Sequence, residues 1–210
     1  MTPIRKLLKA KKGIVGIEAA IVLIAFIVIA AALSYVVINM GFFTTQKTKE
    51  TMQSGLEESL SALQLDGVVT GKTDATNEIE YVIFPVKLAV GKADLDLKNE
   101  SVIVSVYLPG ETLMNIYNGS VVTNNVTWTQ LSSALSLGDD EAKFAMYNSD
   151  SDSVLESTEK AFLVIKLGSA HTISDYETVK IEVKTAKGAA LTVVRTAPGG
   201  MPASSFVDLG

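Results

Sequence analysis

The chain has 210 residues, enough for one domain and an accessory segment, with 18 basic and 23 acidic side chains, one histidine and no cysteine. Without cysteine there is no disulfide framework, thiolate metal site or cysteine nucleophile. With His171 alone between Ala170 and Thr172, and no G-x-S-x-G, Walker or G-x-G-x-x-G sequence, neither hydrolase nor nucleotide chemistry has a visible seat.

The charge is unevenly spread. The first thirteen residues hold Arg5, Lys6, Lys9, Lys11 and Lys12 and no acid. Taking these five from the 18 leaves 13 basic against 23 acidic side chains in residues 14–210, a net of −10. A basic head, an apolar run and an acidic body form a membrane-topology pattern. No basic patch stands out beyond residue 13, which argues against nucleic acid.

Residues 14–43 contain one charge, Glu18. They are apolar on all sides of a helix, so they need burial all round, in lipid or in protein. No proline interrupts the chain between Pro3 and Pro85, and Gly41 is the only weak point, at about 1 kcal/mol against alanine. After Phe43 the sequence TTQKTKETMQSGLEESLSALQLDG is polar, with Met52, Leu56, Leu60 and Leu63 at helical spacing, and Asp66-Gly67 supplies a stop. This predicts one helix of about fifty residues, near 75 Å long. Its first half is apolar all round, and its second half packs an apolar stripe on a domain.

From Val68 onward the reading is β. EIEYVIFPVKLAV, SVIVSVYL, VVTNNVTWT, KFAMYN, AFLVIKL, TVKIEVKT and AALTVVR are rich in Val, Ile, Thr and aromatics, separated by Gly, Asn, Asp and Ser. Residues 179–184 alternate apolar and charged, as a strand with one buried face does. Seven or eight short strands without intervening helices predict an antiparallel sandwich, so the chain as a whole reads as α+β. Trp128 reads as core or interface.

Two features of this region bear on function. In NSDSDSVLESTE, residues Asn148, Asp150, Asp152, Val154 (by its carbonyl), Glu156 and Glu159 fall at positions 1, 3, 5, 7, 9 and 12 of a calcium loop. Position 6 is Ser153 where glycine is needed, and no flanking helix pair is apparent, so a solvated acidic hairpin loop is the competing reading. Three sequons place candidate glycans at Asn99, Asn118 and Asn125.

Three readings compete for the N-terminal region. A secretory signal peptide needs an apolar stretch of about 7–15 residues, and this one is too long. A plain signal anchor fits by length and charge but has no use for Glu18, which costs about 2–3 kcal/mol near a bilayer centre. The third reading cuts after Gly13. Ile14 then carries a new amine and Glu18 becomes the fifth residue, placed to meet the amine of an axially shifted neighbouring helix. The positive end of the helix dipole also favours an acid there.

The stretch KKGIVGIEAAIVLIAFIVIAAALSYVVINMGFFTTQKTKET resembles the class III signal peptide and N-terminal helix of archaellins, the archaeal flagellins of the type IV pilin superfamily. Lys11, Lys12 and Gly13 match the recognition end of the signal, and Ile14, Gly16 and Glu18 the positions after the cut. Asn39 to Thr51 separates archaellins from other pilins. The tail from Leu191 to Gly210 is similar to archaellin tails. The resemblance implies removal of residues 1–13 by a prepilin-type signal peptidase, a filament-core helix over 14–66 and an outer immunoglobulin-like sandwich over 67–210. It implies a membrane-resident precursor and an extracellular filament for swimming, built from this chain and sister archaellins and turned by a motor at its base. Ile14, Glu18, Phe26, Tyr35, Phe42 and Phe43 would make the assembly contacts. No cofactor is required, and calcium in the outer domain is the one ion with oxygen ligands on offer. A non-motile adhesion pilin and a membrane-anchored extracellular binding module remain the alternatives.

Overall fold

The computed structural model describes residues 4–59, 63–90, 94–124, 127–186 and 188–210, with side chains in the first helix described at 16–56 and at 58. Contacts divide the chain into two compact units, one ending at Ser54 and one beginning at Gly55. Each is described by itself.

Helix α1, Ile4–Ser59, has 56 residues and is roughly 84 Å long. The absence of proline leaves its hydrogen-bond ladder intact, and Gly41 does not break it. The helix ends before the sequence predicts. Leu63, expected on the helical stripe, instead opens strand β1 (Leu63–Leu65), pairs with Leu88 and is buried in the sandwich core. Its core burial outweighs the local helical spacing. Leu60 lies outside the described residues, while Met52 and Leu56 are exposed.

The second unit is a sandwich of two sheets. In chain order the strands after β1 are β2 (Thr70–Thr73), β3 (Ile79–Leu88), β4 (Leu95–Asp96), β5 (Val102–Leu108), β6 (Glu111–Leu113) and β7 (Tyr117–Val122). Helix α2 (Trp128–Leu135) follows, then β8 (Glu141–Tyr147), β9 (Val154–Leu155), β10 (Lys160–Lys166), β11 (Thr178–Thr185), β12 (Leu191–Thr196) and β13 (Phe206–Asp208). One sheet has the order β13-β2-β3-β10-β8-β7, with β1 also on β3, and the other has the order β12-β11-β5-β6. A two-residue ladder joins β4 and β9.

The core follows from strand alternation. Val179, Ile181 and Val183 of β11 point inward, as do Val102, Val104 and Val106 of β5. They meet Val82, Phe84 and Val86 of β3, with Phe144, Leu163 and Ile165 of β8 and β10. This is the predicted α+β architecture, with a parallel exception to the expected antiparallel pairing: β7 runs parallel to β8.

Pro85 in the long strand β3 shows how the sheet tolerates an imino acid. On one edge of β3, β2 pairs up to Ile83 and β1 begins at Val86. Pro85 sits in the gap between them, where its carbonyl accepts the Asp66 N–H at 3.0 Å and its missing N–H breaks no ladder bond. The chain crosses here on Gly67, because a Cβ at that position would stand 2.8 Å from the Pro85 ring. Asp66 closes the crossing with ion pairs to Lys87 of β3 at 2.6 Å and Lys160 of β10 at 2.8 Å.

The absence of helices in this region is corrected by α2. VVTNNVTWT is not one strand: β7 stops at Val122 and Trp128 begins a helix. Thr127 supplies the extended N-cap backbone, and Ser136, at φ 44°, ends the helix with its N–H on the Ser132 carbonyl. Leu131 and Leu135, one turn apart, pack on Ala145 of β8 and Val164 of β10. Both strands are consequently buried on both faces at their centres.

Residues 148–159 form a loop around a buried carboxylate. Glu159 is 4 % exposed and accepts the N–H groups of Asp150 at 3.2 Å and Glu156 at 3.0 Å. Replacing Glu159 by alanine leaves these donors without their acceptor, so Glu159→Ala is expected to destabilise the second unit by about 1–3 kcal/mol in denaturant unfolding. An unchanged unfolding midpoint would contradict that role. Lys160, and after it Lys87, hold the Asp66 carboxyl below its ordinary 3.8, at about 2. The stabilisation is therefore complete above pH 3.8 and is lost as pH falls through about 2. Asp66→Asn should lower the melting temperature at pH 6, with the difference shrinking as pH falls through about 2 and gone well below it. An equal effect at both would show that the ion pairs are not the cause.

Candidate assembly helix and outer-domain sites

Every described side chain of α1 from Gly16 to Leu56 is exposed in the single chain. Phe26, Tyr35, Phe42 and Phe43 are all more than 60 % exposed, and so are Ile17, Leu23 and Leu33 on other sides of the helix. By length and composition this helix is apolar enough to cross a membrane. Water is a poor solvent for such a surface, so lipid or other helices must cover it. Ala19, Ala20, Ala25, Ala30, Ala31, Ala32 and Ser34 interrupt the bulky side chains and allow a second helix to approach closely.

The polar side chains along this surface are largely neutralised from within. Ser34 donates to the Ala30 carbonyl at 2.8 Å. Past Phe43, Thr44, Thr45, Thr48 and Thr51 each donate to the carbonyl four residues back, at 2.8–2.9 Å. The spacing of the threonines was the available signal.

Glu18 is exposed near the start of this surface. The side chains of Lys11, Lys12, Gly13 and Ile14 lie outside the described residues. No neighbouring atom of the chain would meet a Cβ at Gly16 or at Gly41.

The candidate calcium ligands are not gathered into a cage. Glu159 is turned inward onto backbone N–H groups, Asp150 accepts from Asp152 N at 3.3 Å, and Asp152 accepts from Val154 N at 2.8 Å. Val154 lies in β9, while Asn148 and Glu156 are exposed. Among the described residues no group of three or more His, Asp or Glu side chains is placed to hold a metal. Glu156 is held above the usual carboxylate range, first by the charge of Asp94, with Glu159, Asp150 and Asp152 adding to it. The carboxylates brace the loop.

Of the sequon residues, Asn99 is exposed on a turn and Asn125 lies outside the described residues. Asn118, in β7, is also exposed, but its amide donates to Glu141. Trp128 stacks edge-on with Tyr81 and Phe206, at 5.0 and 5.8 Å between ring centres, beside a cleft of about 230 Å³. His171 bridges Asp140 and Glu111, a pairing that sequence spacing did not reveal.

The family model for archaeal-type flagellin matches residues 13–195. A probable flagellin of Aeropyrum pernix is 41 % identical over 206 residues, covering 97 % of this chain and all of the relative. A probable flagellin of Archaeoglobus fulgidus is 34 % identical, covering 92 % of this chain and 93 % of the relative. Among solved structures, the archaeal flagellum of Methanospirillum hungatei aligns over 91 % of this chain and 99 % of its own, with 26 % identity and a TM-score of 0.56. An archaeal flagellin of Methanocaldococcus jannaschii shares the fold, with a TM-score of 0.59 at 19 % identity over 70 % of this chain and 95 % of its own. The match over residues 13–195 and the 41 % identical relative, on a chain with this apolar helix and sandwich, show its family: it belongs to the archaeal flagellins.

Proposed function

We propose that this chain is the structural subunit of an archaellum filament for swimming, released for assembly by cleavage after Gly13. The observation that carries the reading is the long apolar helix uncovered in its own chain, with one carboxylate near its start. The family match begins at residue 13, where the cut is expected, which supports treating the basic head as a leader.

The precursor sits in the membrane with its basic head inside. A prepilin-type signal peptidase removes residues 1–13 and with them five positive charges. The helix then exchanges lipid for copies of itself and of sister archaellins. That exchange is apolar for apolar, so packing and polar pairing decide it. Glu18 pairs with the Ile14 amine of a neighbour displaced along the axis. Because one surface meets a different surface of the next copy, the contact does not close, and an open helical filament results. The sandwich coats the outside, and a motor at the base turns the filament.

Gly13→Val should leave full-length precursor in the membrane and no filaments. Native filaments should begin at Ile14 by N-terminal sequencing, and normal filaments from Gly13→Val would overturn the cleavage reading. Glu18→Leu should insert into the membrane as well as the wild type and assemble at least tenfold less, a change of about 1.4 kcal/mol or more per contact. Wild-type yields of sheared filament from that variant would remove the role given to Glu18.

A further inference from the structure

We propose that His171, when protonated, is a latch between the two sheets of the outer domain, and that it lets go as pH rises. The chain crosses from one sheet to the other between β10 and β11, and His171 lies on that crossing. Its Nδ1 is 2.9 Å from Asp140 Oδ1, just before β8 in the seven-stranded sheet. Its Nε2 is 3.3 Å from Glu111 Oε2, on the short edge strand β6 of the four-stranded sheet. One imidazole thus joins a carboxylate from each side of the sandwich. Only imidazolium has two N–H groups to donate. The neutral ring has one, so it must give up a carboxylate or turn a lone pair toward it.

The surroundings fix this geometry. Asp140 sits at φ 56° and also accepts the Gly168 N–H at 2.8 Å, and the His171 N–H bonds back to the Gly168 carbonyl at 2.8 Å. A side chain at Gly168 would come within 3.0 Å of the Asp140 carboxylate. His171 lines an open cleft of about 340 Å³, which gives water access to the ring. The other charged groups near it are already engaged. Glu78 accepts from Thr172 and Ser174, Glu177 accepts the Ser174 N–H, and Asp139 pairs with Lys166 at 2.7 Å. Asp140, and more weakly Glu111, hold the imidazole above its ordinary range. The folded protein therefore binds the proton more tightly than the unfolded chain does. The stabilisation is complete below about pH 6.5 and is lost as pH rises through the elevated folded value.

His171 is the only histidine, so its titration can be read without ambiguity. Native filaments are treated with diethylpyrocarbonate across pH 5 to 9, and the rate of modification at His171 is followed by peptide mass spectrometry. The expected midpoint lies above the ordinary histidine value of about 6.5 and falls toward it in Glu111→Gln and Asp140→Asn filaments. Calorimetry of the same filaments should show the outer-domain melting temperature dropping by a few degrees through that midpoint in the wild type, with no such step in His171→Gln. A wild-type midpoint at or below 6.5, or the same step in His171→Gln, overturns the latch. The midpoint is read on the wild type alone, so it decides the matter even if the His171 variant does not assemble.

Discussion

An apolar helix that nothing in its own chain covers has to be solvated by something else. From Ile14 to Phe43 there is a single charged side chain, and every described side chain of that run is exposed. Lipid and a bundle of like helices satisfy this requirement almost equally, because the backbone bonds are internal in both. The choice between them falls to small terms: how closely alanines let helices approach, and where one carboxylate finds a counter-charge.

The same economy extends past the apolar run. Thr44, Thr45, Thr48 and Thr51 donate their hydroxyls to their own helix. Such back-bonding slightly weakens and tends to bend a helix. The second unit has its own two-sheet core and its own ion pairs.

Much of this is legible in the sequence, for physical reasons that differ by region. The long helix is plain because it lacks proline and stays apolar through several turns. The strand at Thr178–Thr185 is plain because one buried face forces alternation, and that at Ile79–Leu88 because it is a continuous run of Val, Ile and aromatics, with Tyr81 and Ile83 packed against the α2 cluster on its second face. Helix α2 was hidden because VVTNNVTWT has strand composition, while the relevant signal, Trp128, Leu131 and Leu135 at helical spacing, runs beyond it. Leu63 was misplaced because its spacing continues the helical stripe, whereas its pairing with Leu88 is a long-range fact. The loop of residues 148–159 spells out calcium-ligand spacing, but Glu159 faces the backbone, and no sequence pattern reports which way a carboxylate turns. The His171 bridge joins residues far apart in the chain and leaves no local trace.

The decisive measurement is a cryo-electron microscopy map of native filaments at side-chain resolution. A core of helices beginning at Ile14, with each Glu18 carboxylate about 3 Å from the amine of a neighbouring subunit, is the predicted result. A core in which residues 1–13 remain attached, or in which Glu18 faces only apolar side chains, would contradict it.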